Sequence, residues 1–474
     1  MVLIIAATGG LLFAFIVFFI VYFRLIRKKR FELLDWFLLS LGTFNGIGFG
    51  FVLWATYAGK NSYNWTPWII KYDDWASFTY LLMNILLLIS VIFGWNLTNM
   101  LINNFKLFQH KQKKDLSVAR KDTIRKMLFI AYLMFVTSVV SYWLYTKAYG
   151  GFIGIFKYST AIRAGVFYVE NPFSFLQIFG SFSFFSSFIF FGILIDKKIK
   201  KKNSLILFIA FILSFIFSLY VLFTWVGRVS LAVYVLTFFL GYILYNHKNI
   251  FGFLSKLIFF PFISLFLVII SDKVLKRSSD DGGILNFLTK ELSFPFASYI
   301  VHISAQDYRW FKDLLVSPIY ILPQRVWGQL VDTASDINTI YIIGARKGEL
   351  GVTGSIPVDM LSFSIIEGSV VGVLLIGIFW GALLLIVERF ISNIPIKGVM
   401  FIIYANIVLN VAILNLLYGD PQHLINRNFH MIIGVFLMVF FLKISFTINH
   451  MNSRTYPFIN DNCCKTGVKT RDHV

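Results

Sequence analysis

The stretch 204-SLILFIAFILSFIFSLYVLFTWVGRVSLAVYVLTFFLGYILYN-246 carries one charged side chain, Arg228, in 43 residues. A bilayer core asks for about 20 consecutive apolar residues of helix. This stretch supplies two such runs, 204–225 and 229–246, joined by the tight turn Trp225-Val-Gly-Arg-Val-Ser. Each run reads as a membrane helix. Nine further runs of the same kind lie outward from it, at 2–23, 33–54, 76–95, 127–146, 172–195, 257–271, 367–388, 398–418 and 430–449. The run at 257–271 is the shortest. The opening run, Val2 to Phe23, has no basic leader and is too long for a signal-peptide core, so it counts as a first membrane helix. The expected fold is all-α, a polytopic transmembrane bundle of about eleven helices.

Composition points the same way. The chain is 58% hydrophobic and 14% charged, against about 25% charged in a soluble domain, so it could not keep a solvated surface. Nothing repeats at a fixed period, which argues against a solenoid. The net charge of +20 does not mark a nucleic-acid partner, because Lys and Arg cluster in short stretches between apolar runs. That is a topology signal. Alternate connections at 24–30, 96–126, 196–203, 246–256, 389–397 and from 450 onward hold 26 Lys or Arg, and the short connections opposite hold 7. The richer set belongs in the cytoplasm, with the amino terminus outside and the carboxyl terminus inside.

The chain then divides into helices over 1–270, a large extracytoplasmic loop over 271–366, further helices over 367–449 and a polar tail over 450–474. Loops of that length are usually functional. Its apolar pieces, Leu292–Ile303 and Leu314–Leu322, are too short to span and suit helices lying on the membrane or re-entering it. Trp310 and Trp327 would sit at headgroup level. The two cysteines, Cys463 and Cys464, are adjacent in the tail, so neither a disulfide framework nor a metal set is expected.

The charged residues narrow the function. The runs at 76–95, 127–146, 172–195, 204–225 and 398–418 contain no acid or base, which argues against an ion-coupled transporter. Glu32 and Asp35 read as counter-charges to the basic stretch 24–30. On the outer side stand Arg163, Arg228, Arg309, Arg325, Arg346 and Arg427, against the positive-inside tendency. A guanidinium grips phosphate oxygens in two places, and a set of them suits a lipid-borne diphosphate. For each one alone, snorkelling or a structural ion pair is an equal explanation.

Candidate proton carriers on that side are His302, Asp359, Glu367, His423 and His430. Glu367 opens the run 367–388, where a carboxylate also complements the helix dipole. His423 and His430 flank Arg427 in the polar loop 420-DPQHLINRNFH-430. Neutral imidazole could take a hydroxyl proton there, although a hydrogen-bonded interfacial role fits each as well. No Walker loop, dinucleotide fingerprint or nucleophile elbow is present. The glycine-rich run 344-GARKGELGVTG-354 reads as a loop near a substrate.

Three places carry a resemblance to the oligosaccharide repeat unit polymerases, the O-antigen polymerases of the Wzy type. Gly150-Gly151 followed by Tyr158 and Arg163 resembles the pattern of that family's early outer loop. Gly227-Arg228 lies between two hydrophobic helices. Gly351 through Pro357 to Gly368 and Gly372 is similar to the family's Pro-containing segment before a Gly-rich helix start. Many members carry an acid near the position of Ser362, whereas here the acids are Asp359 and Glu367. The resemblance implies an inner-membrane enzyme of bacteria with the loop in the periplasm. It would pass a growing glycan from undecaprenyl diphosphate to a lipid-linked repeat unit, with no metal or other cofactor implied. Chain-length regulator and flippase partners are implied too. An O-antigen ligase shares the donor, and a lipid-linked oligosaccharide flippase or an anchoring protein are readings from other classes.

Overall fold

The computed structural model describes residues 2–57, 74–104, 116–165, 169–197, 204–246 and 283–442, with single-residue gaps at 323, 329, 351 and 353, and four residues between 252 and 263. The described elements are helical, with no strand among them. Ten helices there are long and apolar enough to cross a membrane, and the chain is a multi-pass membrane protein. Seven precede the large loop: α1 (Ile4–Lys28), α2 (Leu33–Ala55), α3 (Trp75–Asn104), α4 (Lys121–Lys147), α5 (Ser174–Ile195), α6 (Ser204–Thr224) and α7 (Arg228–Asn246). Within the loop lie α8 (Gly283–Ala305) and α9 (Ala334–Ile343). After it come α10 (Met360–Ser392), α11 (Lys397–Leu417) and α12 (Pro421–Leu442). Ten of the eleven expected segments are therefore present. The expected span at 257–271 falls, but for one residue, outside the described residues, as does the tail from 450.

The helices outrun the apolar runs that announce them. α3 continues to Asn104 and the helix of α4 is already formed at Leu116, because an apolar run marks the hydrocarbon slab while backbone hydrogen bonding carries the helix past it. A correction that bears on the site is at α12, expected from residue 430 and beginning at Pro421. Proline suits a first helical position, and the Asp420 carboxylate caps the end by accepting from the Gln422 N–H at 2.8 Å. His423 and Arg427 thus lie on the first turns of a helix and not in a loop. α10 is broken where Gly368 and Ser369 leave helical geometry. Glu367 therefore ends a short helical piece, and does not open the long one.

At one end of the bundle the expected counter-charges are in place. Arg24 bonds Asp35 at 2.5 Å and Glu32 at 3.1 Å, Arg30 bonds Glu32 at 2.7 Å, and Lys28 also pairs with Glu32. Glu388 of α10 reaches the same place and accepts from the Leu33 N–H at 2.9 Å. The loop departs from expectation. The piece Leu292–Ile303 does not lie on the surface. It is the buried half of α8, where Phe296 meets Phe49 and Tyr80 at ring distances of 4.8 and 5.1 Å. Trp327 is likewise buried, stacked edge-on to Tyr320 at 4.8 Å and donating to the Leu322 carbonyl. Only Trp310 keeps the exposure expected of an interfacial anchor.

Close helix packing rests on missing side chains. A β-carbon added to Gly94 of α3 would fall 2.1 Å from the Ile378 carbonyl oxygen, and one on Gly381 of α10 would fall 2.1 Å from that of Val91. Lipid tails are as apolar as leucine, so contact between helices depends on such small residues. Gly381→Leu is expected to separate α3 from α10 and lower stability by about 1–3 kcal/mol or more. Phe379→Leu, at a 54% exposed site of the same helix, should leave the melting temperature nearly unchanged. Thermal unfolding of the purified protein in detergent distinguishes the two.

Candidate functional site

The loop is fastened to the bundle through polar groups. Thr333 caps α9, and its partner in the capping box is Asp336. One turn on, Asn338 donates to Ser298 Oγ at 2.9 Å and to the Ile356 and Pro357 carbonyls at 3.3 and 3.1 Å. Its carbonyl oxygen meets His302 Nε2 at 3.0 Å. Asp420 accepts from the Ser335 N–H at 3.0 Å, so the cap of α12 also holds the start of α9. Gly419 lies against the first residue of α10, where a β-carbon would sit 2.5 Å from Met360 Cα. Two helix starts and one loop helix are thereby pinned together.

Around this junction cations gather from three parts of the chain. Arg163 stands on the short helix Ser159–Ala164, entered through Gly150 and Gly151, both in left-handed geometry that only glycine adopts freely. The run 344–350 folds over that segment, so that Lys347 Cε would lie 3.9 Å from a β-carbon on Gly165. Surrounding protein and the nearby Arg163 guanidinium lower the Lys347 pKa, with Asp336 opposing, although the residue is exposed. Arg427 of α12 stacks over the Tyr418 ring at 3.7 Å. His423 also packs on Tyr418, its ring 5.7 Å away edge-on, within the fields of Arg427, Asp336 and Lys347. Three cations, one imidazole and one acid thus share a patch at the loop end of the bundle.

A second group of charges sits at the break in α10. The Arg309 and Phe311 N–H groups donate to the Ile366 and Glu367 carbonyls at 2.7 and 2.9 Å. Arg309 then pairs with Asp313 at 2.9 Å and donates to the Asp332 carbonyl at 3.0 Å. Burial raises the Asp313 carboxyl above its ordinary range, and Arg309 opposes the rise. Asp313 and Glu367 are both fully buried and face each other.

The remaining expected site residues scatter. His302 is buried, and burial lowers its pKa to about 4 while the bond to Asn338 opposes. It is a packing imidazole that holds Asn338, not an accessible base. Asp359 caps α10, accepting from the Leu361 and Ser362 N–H groups. His430 is buried between Phe184 and Phe188, at ring distances of 5.3 and 6.1 Å. Arg228 opens α7 at the turn beside Trp225, whose ring meets Phe184 at 5.9 Å. Arg346 is 53% exposed and bonds Asp332 at 3.1 Å. Arg325 lies on the helix Gln324–Trp327, and its side chain falls outside the described residues. Among the described residues no group of acids, histidines or cysteines is arranged to hold a metal ion.

Lys347, Asp336, Asp313 and Asp420 were not singled out by the sequence. Asp313 carried a local signal, four residues after Arg309 in helical register. Lys347 carried only its place in the glycine-rich run. Comparison with protein-family models, curated proteins and solved structures gives no match to this chain.

The lowered His302 pKa has a thermodynamic consequence. The unfolded imidazole takes up its proton near its ordinary pKa and the folded one only near about 4. The stability from this neutral group is thus present above the unfolded value and lost as pH falls toward the folded one, up to about 3 kcal/mol. Unfolding measured across that range should show a steeper acid loss for wild type than for His302→Gln, which keeps a partner for Asn338. Parallel curves would contradict this reading.

Proposed function

We propose that the chain is a membrane glycosyltransferase that lengthens a bacterial surface polysaccharide. It passes a growing glycan from undecaprenyl diphosphate to a lipid-linked repeat unit at the periplasmic face of the inner membrane. The amino terminus is then periplasmic and the carboxyl terminus cytoplasmic, the orientation that the basic-residue count favours. The observation that carries the reading is the meeting of Arg163, Lys347 and Arg427 at one end of the bundle, with Asp336 as their acidic neighbour. Three cations brought together by separate segments set up a positive field that favours a bound anion. A diphosphate borne by a lipid supplies that anion where membrane helices meet the loop.

The chemistry follows from the groups present. A hydroxyl oxygen of the acceptor sugar bonds to the anomeric carbon of the donor, and the carbon–oxygen bond to diphosphate breaks. The guanidinium and ammonium groups take up the charge that grows on the leaving diphosphate. His423 is the imidazole placed beside these groups to receive the hydroxyl proton, with Asp336 favouring and Arg427 and Lys347 opposing the charged form. Direct displacement inverts the anomeric centre. A flippase would deliver the repeat units, and a chain-length regulator would fit the same pathway step.

Two measurements test this. Deleting the gene in a strain with long lipopolysaccharide should leave core plus a single repeat unit. Bare core would instead indicate a ligase acting on the same donor, and an unchanged ladder would remove both. With purified protein and lipid-linked repeat units, Arg163→Lys, Arg427→Lys and Lys347→Ala should each slow polymerisation, by about 10²-fold for a lost charge-stabilising donor. Full activity in all three would overturn the diphosphate assignment.

A further inference from the structure

Seven non-glycine residues among those described have left-handed backbone, and three of them, Gln306, Trp310 and Phe311, lie in one strap. A fourth, Ser369, lies at the break of α10 that the strap covers. Such geometry is costly for a residue with a side chain and persists only where neighbouring contacts enforce it. Here those contacts are the two backbone bonds from Arg309 and Phe311 to the carbonyls of Ile366 and Glu367, and the Arg309–Asp313 pair. The strap is a strained segment held shut at its ends.

Beneath it the Asp313 and Glu367 carboxyl groups face one another, both fully buried, and beyond the Arg309 guanidinium at 2.9 Å from one Asp313 oxygen no described side chain donates to either carboxyl. Two carboxylates cannot bond each other, because neither carries a hydrogen. One proton between them supplies the missing donor. The charge balance asks for the same thing. Arg309 offsets one negative charge, and Lys312 lies nearby on the same segment. Asp420 adds a further negative charge from the cap of α12, itself held by the Ser335 and Gln422 N–H groups. The Tyr320 hydroxyl, also buried and without a partner, faces the site from the turn Ser317–Ile321. A second ionised carboxyl in this space would stand unpaired in low dielectric.

We propose that Asp313 and Glu367 share one proton, and that this proton keeps the strap 306–313 closed on the break of α10. When the proton passes to water, the two carboxylates repel, Arg309 can serve only one of them, and the stored backbone strain lifts the strap. The device stands on its own geometry and holds whether or not the chain transfers glycans.

Hydrogen–deuterium exchange of the full chain in lipid nanodiscs tests it directly. After correction for intrinsic rates, a peptide spanning residues 306–316 should lose protection by about tenfold or more between about pH 5 and about pH 9. A peptide over Ala334–Ile343 should change little and serves as the internal reference. In Glu367→Gln the amide donates to Asp313 permanently, so the strap should stay protected across the range. Asp313→Asn supplies the same donor from the other side and replaces that variant if it does not fold. Strap protection independent of pH in wild type, or the same loosening in the amide variant, overturns the proposal.

Discussion

The break in α10 sets the terms for everything outside the membrane-spanning helices. Once Gly368 and Ser369 leave helical geometry, the turn before them ends at the loop side of the bundle. The carbonyls of Ile366 and Glu367 are bonded there by N–H groups of the strap, from Arg309 and Phe311. Interrupted backbone in a membrane helix is tolerated only where protein or water covers it. The strap is that cover, and its position brings Arg309 and Asp313 against Glu367. From this fixed point the loop continues through Tyr320 and Trp327, which pack on each other, to α9, which is pinned by Asn338 and Asp420.

The same docking places the cations. α9 carries Asp336 to the start of α12, and the run after α9 lays Lys347 on the segment that bears Arg163. α12 contributes Arg427 and His423 because Pro421 and the Asp420 cap start the helix early enough to put both on its first turns. The transmembrane helices hold these pieces at fixed spacing. Glycines let α3 and α10 touch backbone to backbone, and the charges of Arg24, Arg30, Glu32, Asp35 and Glu388 tie α1, α2 and α10 at the other end. Rigid packing below lets strain be stored in the loop above.

Much of the fold was legible because burial in lipid leaves a coarse mark. A run such as 204–225 has no other stable use, and its helix ends within a residue of where the apolar side chains stop. The counter-charge role of Glu32 and Asp35 was legible too, since they follow the basic stretch directly. The loop was not. Leu292–Ile303 has the same apolar character whether it lies on a membrane or inserts between α2 and α3, and only its partners Phe49 and Tyr80 decide. His302, His430 and Asp359 looked alike as polar residues on one side of the membrane. Their neighbours separate them into a packing imidazole, a ring among phenylalanines and a helix cap.

By itself the sequence determined that the chain is a helical, multi-pass membrane protein with a long structured insertion before residue 360. The reason is that hydrophobicity over about 20 residues acts locally, through the solvent each segment prefers. Which arginines meet, and which acids face one another, was decided by tertiary structure alone. Arg163, Lys347 and Arg427 are far apart in sequence, and Asp313 and Glu367 are joined only where the strap crosses the broken helix. Charge interactions depend on distance in space and on the dielectric around them, and neither is written in the order of residues.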